Sequence, residues 1–260
     1  GRLSPRDTLG LAMQLFDMLA DAHRHVGVIH CDIKPENLFL EPTRRPPPRL
    51  KLLDFGIARL SRGKSHEHEG PAYGTPLYAA PELWESAAVS PATDLWSCGL
   101  VVFYMLVGAE FWRSAYADRL AFEATVLDAP PASRRARELG VLLPESFDPW
   151  FAECLKRAKE QRFQSAEDAW ERLEAIVARW PDQDRPLPDA PGVTAREPEV
   201  VVAAPEGANI PSAEEHTTLT AWLRAKGPMG HGDVGRVTAD LVAPMAVLRA
   251  ARRRMHGTLE

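Results

Sequence analysis

At 260 residues the chain has room for one or two domains, and its 45% hydrophobic and 26% charged residues are ordinary for a globular protein. A formal charge of -5 and a pI near 5.9 argue against nucleic-acid binding, which leaves a basic excess. Cys31, Cys98 and Cys154 are far apart and odd in number, so neither a disulfide framework nor a zinc site is indicated, and a reducing, cytoplasmic setting is expected. The chain opens on Gly1 with no signal-like segment, which reads as a fragment or a processed chain.

In chain order, residues 4–24 are predicted to be a helix. Ser4 caps it, Pro5 suits its first position, Asp7 sits near the positive end of the dipole, and Leu9, Ala12, Met13, Phe16, Leu19 and Ala20 mark an apolar face. Val26–His30 leads into a polar loop, and Leu38–Leu40 and Leu50–Leu53 read as short strands joined by the proline-rich stretch 41–49. After a polar run from Ser61 to Tyr73, helices are predicted at Asp94–Val107, Tyr116–Leu127, Asp148–Lys159 and Ser165–Arg179. The stretch Leu95–Val107 is shorter than the ~20 residues that span a bilayer and reads as a buried core helix. Residues 181–211 hold seven prolines, many acidic residues and no period, so they read as a disordered linker. Helical pieces are expected at 213–226 and 237–254.

The chemistry is concentrated in Ile29-His30-Cys31-Asp32-Ile33-Lys34-Pro35-Glu36-Asn37, which places a carboxylate, an ammonium and a carboxamide on one loop. Seventeen residues after Asn37 comes Asp54-Phe55-Gly56, at the end of an apolar strand. Phosphoryl transfer uses such parts: a carboxylate for the attacking hydroxyl, a cation for the moving phosphate, and hard oxygen ligands for magnesium.

On these residues the chain resembles the eukaryotic-type (Hanks-type) Ser/Thr protein kinases, with a bacterial character. His30, Asp32, Lys34, Pro35 and Asn37 match the catalytic-loop pattern H-x-D-x-K-P-x-N, residues 54–56 match D-F-G, and Ala80-Pro81-Glu82 matches A-P-E. The resemblance implies Asp32 as the base that positions the substrate hydroxyl and Lys34 as the neutraliser of charge on the γ-phosphate of ATP. It implies Asn37 and Asp54 as Mg²⁺ ligands, Phe39 beneath the adenine, and Thr75 beside the catalytic aspartate. Further matches put Asp94 under the catalytic-loop backbone, pair Arg162 with Glu82, and give His30, Phe55 and Gly56 structural parts. A buried Glu82–Arg162 pair should cost about 3–5 kcal/mol when one partner is cut.

The implied fold is protein-kinase-like α+β: a mostly helical C-terminal lobe with short β-hairpins over residues 1–180. A Pro-rich linker over 181–212 and a tail of unknown role over 213–260 are expected to follow. The small N-terminal lobe, with its Gly-rich loop, lysine and glutamate, is expected to be absent ahead of residue 1. Loss of its electrostatic contribution would leave the chain alone nearly inactive. Gly230-His-Gly232-Asp-Val-Gly235 fits a glycine-rich pattern, but no strand signal precedes it and Leu248 stands where a lysine would, so it reads as a turn.

Cys31 replaces the arginine that receives an activation-loop phosphate in many kinases. Ser61, Ser65 or Thr75 would then be modified without that switch. His66 and His68 read as a solvated loop. The expected function is transfer of the ATP γ-phosphate to Ser/Thr hydroxyls of a protein substrate, with no nucleic-acid partner and no membrane segment in this chain. A pseudokinase or scaffold module is the alternative, and a small-molecule phosphotransferase is disfavoured by Thr75 and Ala80-Pro81-Glu82.

Overall fold

The computed structural model describes residues 1–43, 48–53, 59–60, 76–84, 87–114, 123–125, 128–191 and 217–221, all within one unit, Gly1–Gly227. Helix α1 spans Pro5–Asp21, and its Ser4 hydroxyl accepts the Asp7 N–H at 3.1 Å, satisfying one of the donors that a helix start leaves open. The predicted helix to residue 24 instead widens into a π-helical turn over Ala22–Val26, which closes on Gly27 at φ 72°. Strand β1 (Val28–Ile29) follows, then the polar loop, then β2 (Leu38–Glu41), β3 (Arg49–Leu52) and β4 (Arg59–Leu60).

β2 and β3 form an antiparallel hairpin with Leu38 opposite Leu52 and Leu40 opposite Leu50, so alternate leucines face the core while Phe39 and Lys51 face away from it. β1 and β4 make a separate antiparallel pair. A short helix α2 (Pro81–Trp84) precedes the central helix α3 (Pro91–Val107). A capping box between Ser90 and Thr93 starts α3, and Gly108 at φ 77° ends it. Every residue from Ala92 to Val107 is buried, so α3 is the axis of the core rather than an amphipathic surface helix.

Helices α4 (Ala132–Glu138), α5 (Asp148–Cys154) and α6 (Ala166–Val177) pack around it. At Gly99 of α3 an added Cβ would lie 2.8 Å from the Cys154 Cβ, so glycine sets the close approach of α3 and α5. Phe103, Phe111, Phe147, Trp150 and Phe151 fill the space between these helices. Among the described residues no helix is long and apolar enough to cross a membrane. The described part is helix-rich with few strands, an α+β arrangement.

Three expectations change. The helix expected over Asp148–Lys159 stops at Cys154, and beyond its end the carbonyls of Lys156 (2.6 Å) and Arg157 (2.9 Å) accept the Arg162 guanidinium instead of solvent or a helical N–H. Of the stretch expected to be a linker from residue 181, the described part Pro181–Pro191 is fastened to the body. Arg6 N–H meets the Gln183 carbonyl at 3.0 Å, Leu142 N–H meets Pro188, and Ala190 N–H meets Gly140, both at 2.8 Å. Arg2 and Arg6 neutralise Asp189 and Asp184, and Leu187 is buried, so a polar-looking, proline-rich run still has a face to bury. Thr217–Thr218, expected within a helix, is strand β5, paired antiparallel with β2. Helix α4 had no counterpart in the sequence reading. Most of the helix predicted at Tyr116–Leu127, all of the one at 237–254, and Gly230–Gly235 lie outside the described residues.

Candidate active site

The loop from His30 to Asn37 hangs on α3. Asp94, in the first turn of that helix and fully buried, accepts the backbone N–H groups of His30 (2.9 Å) and Cys31 (2.8 Å). His23, from the π-helical turn, brings its Nε2 to the same carboxylate at 2.7 Å. Three donors on one carboxylate at the positive end of a helix meet the requirement that a buried charge be hydrogen-bonded. Cys31 adopts φ 66°, in the left-handed region, and two successive amides there point at one acceptor.

His30 is buried and bridges two segments. Its Nδ1 accepts the Asp32 N–H at 3.2 Å, so Nε2 carries the ring proton and donates to the Leu53 carbonyl at 3.0 Å. Leu53 N–H in turn donates to the Asn37 carbonyl at 2.9 Å. The loop is thereby tied to the chain just before Asp54, although Asp54, Phe55, Gly56 and Thr75, like His66 and His68, lie outside the described residues.

On this support the polar side chains converge. Lys34 Nζ sits 3.0 and 2.8 Å from the two Asp32 carboxylate oxygens. Asn37 Nδ2 donates to the Asp32 carboxylate at 2.9 Å and to the Asp32 carbonyl at 2.8 Å. Both amide protons of Asn37 are therefore spent on Asp32, and no hydrogen bond engages its amide oxygen among the described residues. An amide oxygen beside a carboxylate is a donor set that fits hard Mg²⁺. Asp32 and Lys34 keep 26% and 14% of their side-chain surface, so the pair is open to an incoming group. Phe39, half-buried on β2, follows two residues after Asn37.

Further along, Glu82 and Arg162 form a two-pronged pair, 2.8 Å on each prong, with 5% and 3% of each residue exposed. Thr93 donates to Glu82 at 2.7 Å, and the guanidinium lies 4.9 Å from the centre of the Trp96 ring. Burial alone would raise the Glu82 carboxyl, but the hydrogen bond and charge of Arg162 outweigh it and hold the carboxyl below its usual range. Ser97 on α3 donates to the Tyr78 carbonyl at 2.8 Å, and the Tyr78 hydroxyl donates to Glu110 at 2.6 Å. Burial, only partly offset by that hydrogen bond, lifts the Glu110 carboxyl to about 7, and the Glu36 charge adds to the rise.

Sequence reasoning did not single out His23, Thr93, Ser97, Tyr78 or Glu110. Apart from the local Ser90–Thr93 cap, their partners lie farther along the chain, and a histidine near a helix end or a glutamate after an alanine carries no local signal.

A loop slung from a buried helical aspartate thus gathers an aspartate, a lysine and an asparagine at its tip. Residues 1–172 match the family model described as "Protein kinase domain". The chain belongs to the protein kinase family. It is 28% identical over 227 residues to the serine/threonine-protein kinase pkn3 of Myxococcus xanthus, covering 83% of this chain and 41% of pkn3. It is 30% identical over 258 residues to the serine/threonine-protein kinase PknK of Mycobacterium tuberculosis, covering 98% of this chain and 22% of PknK. The chain thus spans less than half the length of either relative. Its fold is similar to the PknI kinase domain of M. tuberculosis, with a TM-score of 0.51 at 22% identity over 68% of this chain and 58% of that one.

Proposed function

We propose that residues 1–180 form the catalytic-loop lobe of a Ser/Thr protein kinase that transfers the γ-phosphate of ATP to Ser/Thr hydroxyls of a protein substrate. The observation that carries this reading is the clasp of Asp32 by Lys34 and Asn37 on a loop anchored by Asp94. In the proposed roles, Asp32 orients the substrate hydroxyl and takes its proton, and Lys34, freed from Asp32 as substrates enter, faces the charge on the moving phosphoryl group. Asn37 offers its amide oxygen to Mg²⁺ together with Asp54, and Phe39 offers its ring to the adenine. Bound Mg²⁺–ATP supplies the phosphoryl group and the charge neutralisation that accompanies its transfer. Thr75 stands beside Asp32 in this reading, and Glu82, Arg162, Asp94 and His30 hold the scaffold.

These 260 residues contain no glycine-rich loop followed by the lysine that covers the ATP phosphates. The chain by itself is therefore proposed to turn over at least ~100-fold more slowly than the natural protein that carries it. Mg²⁺-dependent transfer of ³²P from ATP to a mixed Ser/Thr substrate tests both statements. Transfer by the natural protein that disappears in Asp32→Asn supports the kinase reading. Absence of transfer in a folded protein moves the assignment to a binding module of the same fold. Ordinary rates from the 260-residue chain alone contradict the second statement.

A further inference from the structure

Residues 192–216, twenty-five in number, separate Pro191 from strand β5, yet β5 is seated at the catalytic loop. Thr218 lies opposite Phe39 and Thr217 opposite Leu40. Leu219 has no exposed surface and joins the same core cluster as Leu38 and Leu40. The Thr220 hydroxyl reaches the Glu36 carboxylate at 3.4 Å, and the Thr218 hydroxyl accepts the Ala221 N–H at 3.1 Å, closing the segment into a turn. β3 lies on the other side of β2, so without β5 the Phe39–Leu40 edge would present unpaired N–H and C=O groups, and the slot of Leu219 would open the core beneath it.

We propose that Thr217–Ala221 is a strap, docked in cis, that positions the catalytic loop. Its ladder to Phe39 and Leu40 and its leucine anchor fix β2, and its contact with Glu36 holds the turn Pro35–Asn37 from which the Asn37 amide projects. Asp32, through its bonds to Asn37, is held in turn. Leu219 and Thr220 are on this account positioning residues: neither touches the reacting groups, and both act through the turn that carries them. The strap is also built to leave. A two-residue ladder and one buried leucine are a small contact, while a 26-residue step from Pro191 reaches up to roughly 85 Å, so the docked state is set by the contact and not forced by the tether. Such units open locally far more often than a core like α3. The catalytic meaning of the strap rests on the kinase reading; its docking does not.

Amide hydrogen exchange on the 260-residue chain without nucleotide tests the docking, comparing wild type with Leu219→Asp and Leu219→Met. The expected result is exchange at least tenfold faster at residues 37–41 in Leu219→Asp, no change across residues 95–107 of α3, and wild-type protection in Leu219→Met. Unchanged protection at 37–41 would overturn the proposal. So would a parallel loss across α3, which would make Leu219 an ordinary core residue. In the natural protein, Leu219→Asp is expected to lower kcat by tenfold or more with KM for the protein substrate within twofold, and Leu219→Met to restore it. A wild-type kcat alongside the faster exchange would refute the positioning role. Because the exchange assay holds no nucleotide, a failure of the kinase reading and a failure of the strap remain distinguishable.

Discussion

The Asp32–Lys34 pair and the Glu82–Arg162 pair are both acid–base contacts near 2.8 Å, yet they are built for opposite ends. Glu82 and Arg162 are almost wholly withdrawn from water, and the remaining hydrogen-bonding capacity of Arg162 goes to the carbonyls of Lys156, Arg157 and Ala92. Nothing can enter that pair without breaking the fold. Asp32 and Lys34 keep solvent contact across a salt bridge that Asn37 supports from one side, and in the proposed function a substrate hydroxyl or phosphate replaces either partner. The same charges hold structure where desolvated and networked, and stay available to an incoming group where accessible.

The largest test of that contrast is Arg162→Met, which leaves Glu82 buried without its cation and should cost about 3–5 kcal/mol in denaturant unfolding. Glu82→Gln added to Arg162→Met should recover much of the loss, because the penalty lies in the unpaired charge rather than in the missing attraction. A double variant as unstable as the single would break the account of this pair.

Asp94→Asn comes next. It removes a carboxylate that accepts from His30, Cys31 and His23 and places an amide N–H against those donors, for about 2–3 kcal/mol. Faster amide exchange at His30 and Cys31 than in the rest of α3 would locate the damage in the loop.

Glu110 supplies the pH dependence. Burial lifts its carboxyl to about 7 in the folded protein from an ordinary value of 4.5, so between these pH values the native state holds a proton that the unfolded chain has already released. Stability from this group is full below about pH 4.5 and declines as pH rises toward about 7. Glu110→Gln keeps an acceptor for the Tyr78 hydroxyl and removes the titration. It should match wild type at pH 4 and exceed it by about 2 kcal/mol at pH 8, with solvent at the half-buried carboxyl limiting the gain. Parallel unfolding curves for the two proteins from pH 4 to 8 would contradict this.

The smallest expected stability effect is that of Asp32→Asn, within about 1 kcal/mol, because the pair it breaks is partly solvated.

Much of the fold was legible because its signals are local. Ser4 caps α1, the alternating leucines of β2 and β3 set the hairpin, and the apolar run after Asp94, broken only by Ser97 and Gly99 and too short to span a bilayer, reads as a buried helix. The residues of the catalytic loop were legible by type and spacing, and the pairing of Glu82 with Arg162 followed from the resemblance to protein kinases. What stayed hidden depends on partners far along the chain. His23 meets Asp94 across 71 residues, Tyr78 meets Glu110 across 32, and the segment after Pro181 is ordered by Arg2 and Arg6 at the opposite end of the sequence. Thr217–Thr218 pairs as a strand only because β2 offers an open edge, a tertiary circumstance that overrides local propensity.

The most direct test of the central claim is to measure Asp32→Asn twice in the natural protein, once for Mg²⁺-dependent phosphoryl transfer and once for unfolding free energy. The account predicts transfer reduced at least ~1000-fold with stability within about 1 kcal/mol of wild type. Transfer that survives the substitution, or is lost only together with the fold, would contradict it.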